Sequence, residues 1–219
     1  MGSSLSKTTG PLKFDILLIG LDNAGKTSLF KRITQPETVS LDSDLVIEPT
    51  IAFEKESIQY RNNNITLWSL GGQNKIRPLW RSCGSFSSDN EIMLTSPVLW
   101  NAHAYMFVVD ATAPERFAEA KEELHRLHEE LHHRQYKHPL LVVVNKMDSG
   151  VNAERLGEIS KALDVTKLEK SGRIVGMKGV SARTNEGVEE VMQWFLENTS
   201  AADIALHDEH RKEVEGSRA

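Results

Sequence analysis

The sequence predicts an α/β fold: a six-stranded, mostly parallel sheet with one antiparallel edge hairpin and helices on both faces. Three observations carry this expectation. Short, nearly continuous apolar runs recur at 14–20, 104–110 and 140–145, the pattern of strands buried on both faces. Helical patterns alternate with these runs, which favours parallel strands joined by crossover helices. Two further β-type segments, 51–60 and 65–70, stand close together around an Asn-rich turn and read as a hairpin.

Taken in order, residues 1–11 are rich in Ser, Thr and Gly and read as a flexible N-terminal segment. Phe14–Gly20 is the first strand, and Ser28–Ile33 continues as an apolar helical stretch. The hairpin turn is expected at Asn62-Asn63-Asn64. Residues 82–97 combine polar and turn-forming types and read as a loop, part of an insertion at about 82–100. Ala104–Asp110 is a strand, and Phe117, Ala120, Leu124, Leu127 and Leu131 then follow the 3-4-3-4 spacing of one helix face. Leu140–Asn145 is another strand, 154–163 a helix and 173–178 a weaker sixth strand. Asn185-Glu-Gly187 turns into a helix over 188–196, and the polar tail 199–219 is expected to fray, part of it extending that helix. One domain over 12–198 is the organisation this implies, without internal repeats.

Composition narrows the function classes. The 219 residues are 39% hydrophobic and 26% charged, with 26 Lys+Arg against 31 Asp+Glu and a net charge of −5. That profile belongs to a folded domain and argues against broad nucleic-acid binding, which calls for a basic surface. The single cysteine, Cys83, excludes an intramolecular disulfide and makes a thiolate zinc site untenable. No apolar run approaches the roughly 20 residues of a membrane span, and the N-terminus lacks a secretory apolar core. A cytoplasmic monomer is expected, with membrane contact only if a lipid is attached.

Gly20-Leu-Asp22-Asn23-Ala24-Gly25-Lys26-Thr27-Ser28 carries the GxxxxGK[ST] phosphate-loop pattern, between a strand and a helical stretch. Glycines let backbone N–H groups wrap a phosphate chain, and a helix N-terminus adds positive potential. Lys26 can reach the outer phosphates, and the Thr27 hydroxyl can ligate Mg²⁺. Asn145-Lys146-Met147-Asp148 ends another strand. A carboxylate there can accept both N1–H and the 2-amino group of guanine, a donor pair adenine lacks. Asn145 can bond the ring edge, Lys146 can lie along the base face, and Ser181-Ala182 can bring a backbone N–H to the guanine oxygen. His128-Glu-Glu-Leu-His132 matches the zinc-protease pattern HExxH. With several histidines nearby and no third ligand evident, a solvated helix face is the expected reading.

These stretches, with Pro49-Thr50-Ile51, Trp68-Ser-Leu-Gly-Gly-Gln-Asn-Lys-Ile-Arg-Pro-Leu-Trp80 and Phe107-Val-Val-Asp110, resemble the ADP-ribosylation-factor and Arf-like small GTPases over almost the whole domain. The resemblance implies a switch that binds GTP or GDP with Mg²⁺ and hydrolyses GTP slowly without an activating protein. Thr50 is similar to the threonine that joins Thr27 on the metal when GTP is bound. Gly72 is similar to the glycine whose N–H touches the γ-phosphate, and Gln73 to the residue that orients the attacking water, with Lys26 as the charge-stabilising partner. Phe53, Trp68, Ile76 and Leu79 are implied as an effector surface. The hairpin resembles the interswitch that slides between nucleotide states in this family. Exchange factor, activating protein and effectors are implied as partners, with a role in membrane traffic.

Three departures stand out. Ser69 replaces the aspartate that holds Mg²⁺ through water, Cys83 replaces a third effector aromatic, and the insertion at about 82–100 follows the second switch directly. Ser69 favours an alternative, a GTP-binding scaffold with little or no hydrolysis. Met1-Gly2-x-x-x-Ser6 matches the N-myristoylation pattern at Gly2. The stretch from Leu5 to Leu12 makes a poor amphipathic anchor, so stable membrane attachment needs a second contact besides the lipid.

Overall fold

A computed structural model describes residues 10–36, 53–73, 77, 102–132, 138–150 and 153–216. The strands are β1 (Lys13–Gly20), β2 (Phe53–Tyr60), β3 (Asn63–Leu70), β4 (Ala104–Asp110), β5 (Leu140–Asn145) and β6 (Val175–Gly179). They form one six-stranded sheet in the order β2-β3-β1-β4-β5-β6. Only β2 runs antiparallel, against β3; every other pairing is parallel. The expected sheet, including its edge hairpin, is the observed one.

Alternation along each strand builds two cores. On one face Leu17, Ile19, Tyr105, Phe107, Val142 and Val144 pack under α2 (Phe117–His132), α3 (Ala153–Leu163) and the short α4 (Val165–Glu169). On the other, Phe14, Ile16, Leu18, Met106, Leu141 and Val143 pack under α1 (Lys26–Thr34), α5 (Val188–Asn198) and α6 (Ala201–Gly216). The five predicted α2 positions are all buried. Each fully buried Leu, Ile, Val or Phe removes enough apolar surface from water to stabilise the fold by about 1.5–3 kcal/mol. Two filled faces therefore hold the central strands rigidly.

Two elements differ from expectation. The hairpin loop is Arg61-Asn62, both at positive φ (44° and 69°), while Asn63 and Asn64 belong to β3. A two-residue loop with left-handed conformation at both positions matches strand twist. Asn63 is recruited as a brace instead: its side-chain amide donates to the Tyr60 and Arg61 carbonyls, and its Oδ1 accepts the Leu12 N–H at 2.8 Å. The polar tail contains a separate helix rather than an extension of α5. Ser200 Oγ accepts the Asp203 N–H at 3.1 Å and donates to the Asp203 carboxylate, a reciprocal cap that starts α6. Ile204 and His207, one turn apart, are buried against the sheet.

The connection out of β1 runs through α1 towards β2 and β3, whereas that out of β4 runs through α2, on the opposite face, towards β5. Their divergence marks the switch point where open α/β sheets bind ligands, outside the carboxyl ends of the strands. The segments that follow β1, β3, β4, β5 and β6 all emerge at that edge.

Candidate functional site

Five segments meet at the carboxyl edge. The phosphate loop leaves β1 at Gly20 and enters α1 at Lys26, with Asn23 (φ 61°) and Gly25 (φ 85°) in left-handed backbone. Gly25 is required for packing as well as for its φ. A Cβ there would lie 2.2 Å from Asn145 Nδ2. Gly72, after β3, is equally constrained: a Cβ would meet the Asp22 N and the Gly20 O at 2.5 Å each. Its carbonyl accepts the Asp22 N–H at 3.1 Å, so the segment after β3 lies directly on the loop.

Lys26 is buried and donates from Nζ to the Leu21 carbonyl at 2.8 Å. Burial pushes its ammonium pKa down to about 8, against the pull of the Asp22 carboxylate. The Asp22 side chain turns to two guanidiniums, Arg116 at 2.9 Å and Arg77 at 3.2 Å. Partial burial raises its pKa, but the bond and charge of Arg116, with the charge of Arg77, outweigh that and hold the carboxyl below its usual value. Glu119 closes the network, 2.7 Å from Arg77 and 2.9 Å from Arg116. Arg77 also donates from Nε to the Gly72 carbonyl at 2.8 Å. The buried Arg77 thus ties the second switch to both the phosphate loop and α2.

At the base-recognition end, Asn145 is buried and bridges two loops. Its Nδ2 donates to the Ala24 carbonyl and its Oδ1 accepts the Ala182 N–H, each at 3.0 Å. Lys146, at φ 68°, donates to Asp110 Oδ2 at 2.6 Å. Burial raises the Asp110 pKa, but bonds from Lys146 and Thr112 bring it below its usual value. Ser181 Oγ donates to Asp148 Oδ1 at 2.6 Å and accepts the Thr184 N–H. The Asp148 carboxylate is therefore aimed by Ser181. The Ser181 N–H goes to the Glu186 carbonyl, so within the Ser181-Ala182 pair both backbone N–H groups have protein acceptors. The expected N–H from this pair to a base oxygen is committed elsewhere in this conformation, because Asn145 and the turn into α5 take it up. Arg32, in the last turn of α1, donates to the Ala182 and Arg183 carbonyls at 2.9 Å and fixes this loop from below.

The predicted site residues 20–28, 72, 145, 146, 148, 181 and 182 are thus brought to one edge. Gln73 is exposed beside Gly72. Trp68 corrects the effector reading: it is only 8% exposed, packed in the α2-side core with Lys55 Nζ 4.4 Å over its ring. It projects from the α2 face of β3 into the cluster that holds Leu17 and Leu70, while Phe53, 6.0 Å away on the edge strand, is half-buried. His128 corrects another. It is buried and 2.8 Å from Ser171 Oγ rather than on a solvated face. Gly2, Thr50, Ile76, Leu79 and Cys83, with the insertion at about 82–100, lie outside the described residues.

Arg32, Asp110, Arg77, Arg116 and Glu119 were not singled out from sequence. Asp110 had a legible signal, an acid closing an apolar strand; the others are separated partners that only folding brings together.

The family model of the ADP-ribosylation factor family matches residues 1–95 and 96–199. Among solved structures, the Arl6/BBS3 small GTPase of Trypanosoma brucei with the bound nucleotide analogue GppNp is similar at TM-score 0.62 and 22% identity, covering 84% of this chain and 96% of that one. The mammalian SRP receptor is similar at TM-score 0.63 and 18% identity, covering 84% and 100%.

Phosphates around Lys26 favour its charged form, so nucleotide binding takes up a proton where the free protein has lost one. Affinity is expected to fall as pH rises through about 8, approaching tenfold per unit above it. Titration calorimetry across pH, with Lys26→Met as the comparison, checks this: the variant binds more weakly at neutral pH and lacks that component of the slope.

Proposed function

We propose that this chain, which belongs to the ADP-ribosylation factor family, binds GTP and GDP through the carboxyl-edge loops and hydrolyses GTP as a molecular switch. The family's fold implies a GTP-binding switch; guanine selectivity and turnover in this chain are the proposal. The observation that carries it is the Asp148 carboxylate, oriented by Ser181 in a loop held against the phosphate loop by Asn145. An acceptor-only group with two oxygens matches the two donors on guanine's edge and repels the acceptor-bearing edge of adenine.

In that reading the backbone from Asp22 to Thr27 wraps the phosphates, and Lys26 leaves the Leu21 carbonyl for the outer ones. Magnesium is the cofactor the family implies, and two features here fit it. Thr27 begins α1 beside Lys26, and Ser69 Oγ is buried with no hydrogen-bond partner among the described residues. Ser69 lies on the α1 side of β3, sharing alternation with Ile65 and Leu67. Thr27, with Thr50, would hold the ion, and Ser69 would contact its hydration shell. Bound there, it supplies positive charge to the outer phosphates. Gln73 would orient water next to Gly72. The GTP state requires the Gly72 backbone to donate its N–H to phosphate, so the Asp22–Gly72 contact and the Arg77 ties are the bonds that nucleotide exchange rearranges.

Ser69 supports a second reading, a GTP-binding scaffold with little hydrolysis, because a neutral hydroxyl holds magnesium's water less firmly than a carboxylate. The Met1-Gly2-x-x-x-Ser6 pattern supports myristoylation and, with a second contact, peripheral attachment to an intracellular membrane. A role in membrane traffic, with an exchange factor, an activating protein and effectors as partners, follows from the family alone.

Asp148→Asn exchanges an acceptor for an amide donor facing two guanine donors. One hydrogen bond to a charged group is lost and the other becomes a neutral one, together about 2–4 kcal/mol, so GDP affinity falls about 30- to 10³-fold. Xanthine diphosphate, with a carbonyl in place of the 2-amino group, regains affinity in a competition assay. For turnover, Gln73→Leu is expected to lower single-turnover phosphate release while leaving GTP affinity within about threefold. Equal release by wild type and variant supports the scaffold.

A further inference from the structure

At the amino ends of the strands, a second cluster of donor side chains gathers where α6 meets the sheet. His103, just before β4, and His207, in α6, are 5% and 2% exposed, and Asp208 stands at the rim. One donor atom from each lies within 4.8 Å of the others. His103 Nε2 is 3.3 Å from Asp208 Oδ1, and His207 Nδ1 is 3.9 Å from the same oxygen. Tetrahedral zinc with bonds of about 2.0–2.1 Å separates its ligand atoms by about 3.4 Å. Of the three edges, His103–Asp208 is already near that length, His207–Asp208 is slightly longer, and His103–His207 lies within 4.8 Å and closes on binding.

We propose that His103, His207 and Asp208 form a binding site for a divalent transition metal of the zinc class, separate from the nucleotide site and holding α6 to the sheet. Two imidazoles and one carboxylate suit zinc and its neighbours rather than magnesium, which prefers oxygen alone. Asp208, partly exposed, leaves a side from which water completes the coordination. The surroundings supply the outer partners that such sites use. Asp15 Oδ2 is 3.5 Å from His103 Nδ1, which also accepts the Asp15 N–H at 3.0 Å. Neutral His103 therefore carries its proton on Nε2. A metal on Nε2 requires the imidazole proton on Nδ1 instead, where it would donate to the Asp15 carboxylate in a carboxylate–histidine–metal arrangement, and the Asp15 N–H contact to Nδ1 would give way. His138 packs edge-on to His207 at 5.0 Å and donates from Nδ1 to the His103 carbonyl at 3.0 Å. The site stands one strand length from the nucleotide loops, about 20 Å at roughly 3.3 Å per residue, so either can be altered without touching the other.

The test uses full-length protein loaded with GDP in excess Mg²⁺ and titrated with Co²⁺, with Zn²⁺ as competitor. One Co²⁺ per chain with the intense visible absorption of a tetrahedral site, displaced by Zn²⁺, is expected. His207→Gln and Asp208→Asn should each weaken it by at least about tenfold. Asp208 is at the rim, so its variant keeps the fold, checked by unchanged GDP affinity. The double variant His128→Gln/His132→Gln should bind Co²⁺ as wild type does. No tetrahedral Co²⁺ signal in wild type, equal affinity in Asp208→Asn and His207→Gln, or loss in the His128/His132 variant overturns the proposal.

Discussion

One buried amide carries the geometry on which the rest of the site depends. Asn145 ends β5, donates to the Ala24 carbonyl of the phosphate loop and accepts the Ala182 N–H of the loop after β6. Both partners are backbone, so the bridge fixes the path of two loops relative to each other. Gly25 is the complement of this bridge, because any side chain there would displace the Asn145 amide. The bridge sets the separation between the phosphate-loop motif and the loop after β6. Truncating Asn145 would leave two buried backbone groups without partners, each costing about 1–3 kcal/mol.

The sheet explains why these contacts can be made at all. Parallel strands filled on both faces are rigid, and their carboxyl ends present the five loops at one edge. The β3 side of that edge is held differently. The segment after β3 is attached through ionic and backbone bonds: Gly72 to Asp22, and Arg77 to Gly72, Asp22 and Glu119. The Arg77 bonds to Asp22 and Glu119 are part-buried, and all of these polar bonds can be exchanged for bonds to phosphate or water, unlike apolar contacts. A rigid bridge at Asn145 beside an ionically latched segment after β3 is the division of labour that the proposed nucleotide-dependent change would use.

Sequence alone made most of the fold legible, for a physical reason. The strands are buried on both faces, so 14–20, 104–110 and 140–145 are nearly continuous apolar runs, and α2 must repeat Phe117/Leu124/Leu131 to cover them. The phosphate-loop motif and Asn145–Asp148 were legible in the sequence because each sets particular residue types at fixed spacing after a strand, and the fold brings both to one edge. The Arg77–Asp22–Arg116–Glu119 network was not, because its members are scattered over 98 positions and each reads as an ordinary surface charge. Arg32 was equally silent, since a basic residue in the last turn of a helix is expected for its dipole alone. The tail misled because its mean polarity hid a Ser200–Asp203 cap and a stripe of only Ile204 and His207. Trp68 misled in the opposite sense: an aromatic on a three-aromatic pattern suggested a surface, and its place on the α2 face of β3 buries it.

The account turns on guanine selectivity at this edge. The most direct measurement is the equilibrium affinity of nucleotide-free protein for GDP, GTP, ADP and ATP, each with and without Mg²⁺. Binding of both guanine nucleotides, strengthened by Mg²⁺ and absent for the adenine pair, is the result the account predicts, with Ser69 serving the metal's hydration shell. Equal affinity for guanine and adenine nucleotides, or binding of neither, would contradict it.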